Sequence, residues 1–168
     1  MARAGGRIHL EITVVNTRPE CLIGHAGPLS VCIWRGAPTP AAVRALASEQ
    51  GRLAERHGRI SSLVVVRPAR RVGRSDPEVE ALTVELAAKF GSHGVGSAVV
   101  IEGSGVSAAI AHGQHARVLP HLNAPSETFS RVAEALAWIA RLPGQDPALY
   151  AAPALAADVE LLGRGDED

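Results

Sequence analysis

Phe129-Ser130-Arg131-Val132-Ala133-Glu134-Ala135-Leu136-Ala137-Trp138-Ile139 closes a strand–helix alternation that runs through most of the chain, and reading it decides the fold class. From Arg131 to Leu142, Val132, Leu136 and Ile139 fall on one helical face, with Ala135, Trp138 and Leu142 beside them. That is the stripe of a helix laid on a core. Pro143-Gly144 stops it. Just upstream, Ser126 to Ser130 reads as a short edge strand, set off by Pro120 and Pro125.

Working outward, the same alternation repeats. Val95 to Glu102, centred on Ala98-Val99-Val100-Ile101, and Ile60 to Val66, with Leu63-Val64-Val65-Val66, read as strands buried on both faces. Gly103-Ser104-Gly105 turns the chain into a helix over Val106 to Leu119. Ser75-Asp76-Pro77-Glu78 opens an earlier helix in capping-box form, with Ser75 as N-cap. Val79, Leu82, Leu86 and Phe90 form its stripe. Thr39-Pro40 starts the first helix, and Gly58 ends it beside His57. At the N-terminus, Arg7 to Val15 alternates like a half-buried strand and Leu29 to Trp34 forms a second. Asn16 to Pro28 is expected to turn back between them as a long connection.

The order is β-β-α-β-α-β-α-β-α, an α/β fold with a mixed sheet of about five strands and about four helices. The chain divides into an α/β domain over residues 1–144 and an Ala-rich, acidic C-terminal extension over 145–168. Asp146 to Leu162 is either a docked helix or a segment that finds a partner. Gly163 to Asp168 is a polar tail.

Composition removes several function classes. With 168 residues the chain can bury well over half its unfolded surface without staples. Aromatic residues are only 3%, too few for the stacking platforms of single-strand nucleic-acid binding. Lys and Arg total 17, as do Asp and Glu, so no basic excess draws the chain to DNA or RNA. No stretch approaches the ~18 apolar residues of a membrane span, and Met1 to Arg7 lacks the apolar core of a signal peptide. Cys21 and Cys32 form no metal-type pair, and with no sign of secretion they read as free thiols of a cytoplasmic protein.

Few residues offer chemistry. The loop bearing Arg67, Arg70, Arg71 and Arg74 follows a parallel strand, where α/β sheets bind ligands, and suits an anion or an acidic partner. A phosphate on Ser75 would gain from the helix dipole and from those arginines; otherwise Ser75 is a simple cap. Ser104 and Gly105 also open a helix after a strand, where backbone N–H groups cradle anions. The motif lacks the lysine of a Walker loop and the third glycine of a dinucleotide fingerprint, so a tight turn capped by Ser104 is the alternative. His112 and His115 share a helical face, but Pro120 disrupts the approach of His121 and nothing completes a zinc set. Ser, His and Asp occur at no spacing that argues for a triad, so the chain reads as non-catalytic, with no cofactor.

Several stretches together resemble a known family. They are Val31-Cys32-Ile33-Trp34-Arg35-Gly36, Thr39-Pro40, Leu63-Val64-Val65-Val66, Ser75-Asp76-Pro77, Val99-Val100-Ile101-Glu102-Gly103-Ser104-Gly105 and the Phe129…Trp138 ending. In this order they resemble the STAS superfamily of bacterial anti-sigma-factor antagonists, and the STAS/Sec14-like small proteins of the same topology. The resemblance spans about residues 7 to 142. It implies a regulatory module that binds a protein partner and is switched by phosphorylation at Ser75, with homodimerisation compatible. Arg74-Ser75-Asp76-Pro77 departs from the family's usual Asp-Ser-Ser-Gly, to which Glu102-Gly103-Ser104-Gly105 is locally closer. The Sec14-like side implies the alternative, a carrier of a small apolar or lipid-like ligand, with Val79, Leu82, Leu86 and Trp138 lining its cavity.

Overall fold

Among the described residues, six strands form one sheet whose spatial order is the chain order: β1 (Thr13–Thr17), β2 (Cys21–Ala26), β3 (Leu29–Trp34), β4 (Ile60–Val66), β5 (Gly94–Ile101) and β6 (Ser126–Phe129). The computed structural model describes residues 11–67, 76–150 and 153–164. The first three strands run antiparallel as a meander, and β3 to β6 are parallel. The crossovers are α1 (Pro40–His57), α2 (Pro77–Phe90) and α3 (Val106–Val118), the last followed by a 3-10 turn at Leu119–His121. After β6 come α4 (Val132–Ala140), α5 (Pro147–Tyr150) and α6 (Pro153–Gly163).

This order dictates the layering. Each parallel step moves one strand further in the same direction, and each crossover is right-handed by the usual rule, so all three crossover helices fall on one face. Residues alternate across each strand accordingly. Cys21, Ile23, Cys32 and Trp34 pack with Ala42, Val43 and Leu46 of α1 and Val79 of α2. Val99 and Ile101 pack with Ala108 of α3. The opposite face, Val31, Ile33, Leu63, Val65, Ala98 and Val100, would lie bare without the C-terminal helices. It is covered by Leu136 and Ile139 of α4, Tyr150 of α5 and Leu155 and Val159 of α6. Gly96 makes room on this face: a Cβ there would come within 2.5 Å of Leu142.

Two expectations are corrected. The connection from Asn16 to Pro28 contains a strand, β2, which brings the mixed sheet, expected with about five strands, to six among the described residues. β2 pairs with β3 over its full length, Cys21 opposite Trp34 to Ala26 opposite Leu29, leaving only Gly27-Pro28 as the turn. Gly27 has φ of 55°, the positive value such a tight hairpin demands at its first central residue. The start of α2 also differs. Its N-cap is Asp76, not Ser75, with Asp76 Oδ1 accepting from the Glu78 N–H at 2.9 Å. Within the expected first strand, residues 7–10 lie outside the described residues.

The α1 start is as read. Thr39 Oγ1 accepts from the Ala42 N–H at 3.2 Å and donates to Glu20 Oε1 at 2.6 Å. Gly58 closes the helix at φ 76°.

The α6 helix is pinned at both ends of its contact. Leu155 is fully buried in the core, and the helix's C-terminal carbonyls are held by two arginines from the sheet. Arg35 Nη2 donates to Leu162 O at 2.9 Å, and Arg67 donates to Gly163 O. Cations there satisfy orphan carbonyls and suit the helix dipole. Leu155→Ala is expected to destabilise the chain by about 2–5 kcal/mol, read as a lower denaturant midpoint with an unchanged m-value. Leu161→Ala, at a residue 48% exposed, should change it little.

Candidate functional site

The two helical layers are unequally filled. The opposite layer and the α1 side bury large aliphatic side chains, but Ala108 is the only buried residue of α3. Of the α3 positions turned inward, Ser107, Ala108 and Ala111 in the first half are too small to close the gap to the sheet; His115 and Val118 continue the face. Val106 is 77% exposed at the start of the helix. A cleft of about 390 Å³ remains between α2, α3 and the sheet, within the ~300–1,000 Å³ of small-molecule sites. Val64, Val66 and Val99 form its floor, and Val79, Leu86 and Ile110 stand in its walls.

The inner end of the cleft is polar. Register aligns four serines, one from each parallel strand: Ser30 opposite Ser62, Ser62 opposite Ser97, Ser97 opposite Ser126. Neighbouring strands lie about 4.8 Å apart, so the row crosses roughly 14 Å of sheet. Ser30, Ser62 and Ser97 are buried, and Ser62 and Ser97 line the cleft. Gln50 of α1 joins them. It is 4% exposed and also lines the cleft. Its Nε2 donates to Ser30 Oγ at 3.4 Å, while its Oε1 is buried with no hydrogen-bond partner. Buried polar atoms in folded proteins are nearly always satisfied.

His115 of α3 also lines the cleft and is half-buried, with its Nε2 buried and unpartnered. Burial, with a smaller repulsion from His112, holds its imidazole below its ordinary value. It is therefore neutral near pH 7. Charged residues sit at the rim. Asp76, Glu80 and Arg117 are exposed, and Arg117 reaches Glu80 at 4.0 Å across α3 and α2. Such an exposed pair contributes little stability. Thr83 is already engaged, donating to Val79 O at 2.7 Å.

Of the described residues expected to act as an anion or partner site, Arg67 reaches the cleft and Ser104 and Gly105 do not. Arg67 is not free for an anion, because its Nε meets Glu102 Oε2 at 2.9 Å and it also donates to Gly163 O. Arg70, Arg71, Arg74 and Ser75 lie outside the described residues. Ser104 and Gly105 are exposed and do not line the cleft. Gly105 is the α3 N-cap at φ 87°, and Ser104 does not cap the helix. Val79 and Leu86 do line the cavity, as the carrier reading required. Leu82 instead packs with the α1 and sheet cluster outside it, and Trp138 lies on the opposite face, its ring centroid 5.9 Å from that of Phe129. Among the described residues there is no group of three or more His, Cys, Asp or Glu side chains suited to a metal. No helix among them is long and apolar enough to cross a membrane. Cys21 and Cys32 are free and buried; burial, with the Glu20 carboxylate adding, pushes the Cys21 thiol up to about 11. Burial also raises Cys32 well above its ordinary value. Both are correspondingly inert.

Comparison of the chain with protein-family models, curated proteins and solved structures finds no match. The functional reading therefore rests on the cleft itself. Sequence reasoning missed its polar end, although a trace is visible in the chain. Ser30-x-Cys32, Ser62-x-Val64, Ser97-x-Val99 and Ser126-x-Thr128 each place a serine two residues before another residue of the same face.

The His115 imidazole is expected to titrate below 6.5, measurable by NMR of its ring resonances. The unfolded chain takes up this proton more readily than the folded one. The contribution of His115 to stability is therefore complete above the unfolded value of about 6.5 and declines as pH falls through it. His115→Phe should flatten that part of the stability–pH curve.

Proposed function

We propose that this chain binds a small, mostly apolar ligand in the cleft between α2 and α3, and acts by binding rather than by turnover. One observation carries the reading: an aliphatic cleft of about 390 Å³ ends on buried polar groups, one of which lacks a partner. Convergent polar groups at the end of an apolar pocket are the usual build of a small-molecule site. A core whose only task is stability gains nothing from such a space, since unfilled volume forfeits dispersion contacts. The apolar cleft favours ligand binding over the protein-binding switch expected at Ser75, whose residues lie outside the described ones. It agrees with the carrier alternative, with α2 and α3 as the walls in place of α2 and Trp138.

The test uses N-phenyl-1-naphthylamine, an uncharged probe that fluoresces in apolar surroundings. The wild type should give a saturable, one-to-one enhancement. Val64→Phe places a ring into the cleft floor. It should reduce probe affinity at least tenfold without lowering the melting temperature, because the ring fills space rather than displacing neighbours. No saturable enhancement, or one that Val64→Phe leaves unchanged, would overturn the proposal.

A further inference from the structure

The polarity of the cleft is graded by depth, and this grading specifies the ligand's chemistry. At the rim stand Asp76, Glu80 and Arg117, all exposed. At the inner end stand Ser62, Ser97 and Gln50, all more than nine-tenths buried and all uncharged. Arg67, the remaining charged residue of the lining, is taken by Glu102 and by the last carbonyl of α6. A carboxylate or phosphate carried to the inner end would meet no cation there, and an unpaired buried charge is strongly disfavoured.

One of the unpaired atoms of the lining, Gln50 Oε1, sharpens the choice. Gln50 lines the cleft, and its Nε2 is committed to Ser30 Oγ, which orients the amide and leaves Oε1 buried without a donor. An amide oxygen only accepts. What completes it is an O–H or N–H on the ligand. The hydroxyls of Ser62 and Ser97 rotate to suit, donating to or accepting from the same group. Beyond this end the floor is aliphatic at Val64 and Val99, and Val79 and Ile110 stand in the walls alongside Thr83 and His115.

We infer that the cleft selects a neutral amphiphile: a single apolar chain whose uncharged head, a hydroxyl or amide N–H, donates to Gln50 Oε1 and sits on the Ser62–Ser97 row. This assignment rests on the reading of the cleft as a ligand site and names the class of ligand. Sites built to hydrogen-bond a substrate hydroxyl reject the analogue that lacks it much more strongly than apolar pockets reject a missing methylene. The ligand's head group, not its chain length, is therefore the main determinant of affinity.

Displacement of N-phenyl-1-naphthylamine from the full chain tests this with three ligands of similar length: 1-decanol, decanoate at pH 7.5, and 1-methoxynonane. The ether keeps an acceptor oxygen and loses the donor. 1-Decanol should bind at least tenfold more tightly than either of the others. Gln50→Met should bring the alcohol and the ether to within a factor of about two, while still binding the naphthylamine. Ser97→Ala provides a second, smaller change at the same end and should narrow the same gap. Equal affinities in the wild type, or tighter binding of decanoate, would overturn the assignment while leaving the cleft as a ligand site. So would a preference for the alcohol that survives Gln50→Met. Absence of naphthylamine binding in the wild type would overturn both.

Discussion

The handedness of the crossovers is the constraint on which the rest of the structure depends. Because β3, β4, β5 and β6 follow one another across the sheet without reversal, right-handed connections leave α1, α2 and α3 on one face. Two consequences follow. The other face must be closed by whatever comes after β6, and α4, α5 and α6 meet that demand with Leu136, Ile139, Tyr150, Leu155 and Val159. On the crossover face, three helices share the same sheet, and how well each is filled decides where space remains. α1 brings Val43, Leu46 and Leu53, whereas α3 brings Ala108 alone. The cleft lies where the helix with the smallest inner side chains covers the sheet.

The two faces also divide their polar chemistry differently. On the C-terminal helix face Ser61, Gln145 and Tyr150 satisfy one another. Gln145 Oε1 accepts from both Ser61 Oγ and Tyr150 OH at 2.7 Å. Burial pushes the tyrosine up to about 12, so it stays a neutral donor. This network pins α5 to β4. On the cleft face the serine row and Gln50 leave acceptor capacity unused. Arg35 and Arg67 link the two, reaching from the ends of β3 and β4 to the C-terminal carbonyls of α6.

Much of this was legible in the residues. The alternating order, the Thr39 cap with Pro40, the Gly58 stop and the edge strand at Ser126–Phe129 follow from local signals: periodicity, a capping side chain and a helix breaker. What was not legible depended on partners distant in sequence. β2 reads as a turn because Pro19 and Pro28 flank it and Gly24 interrupts it, and only its pairing with β3 reveals it. Arg67 reads as a free cation until α6, almost a hundred residues later, is brought against it. Asp76 competes with Ser75 for the same cap, and the carboxylate wins it. The serine row is a property of register, which no single strand displays. Cleft volume is less legible still, since Ala108 and Ala111 look like ordinary small core residues until the distance between helix and sheet is known.

The α3 helix is the least anchored of the three crossovers. Gly103 and Gly105 precede it at φ 81° and 87°, and a single buried alanine holds it. Helices with so few buried apolar contacts open at low free energy, and here opening exposes the cleft. Hydrogen exchange of the backbone amides is the direct measurement. The account predicts that amides of Val106–Val118 exchange much faster than those of Pro40–His57, and that saturating 1-decanol slows α3 while leaving α1 unchanged. An α3 as protected as α1 and indifferent to the alcohol would contradict it.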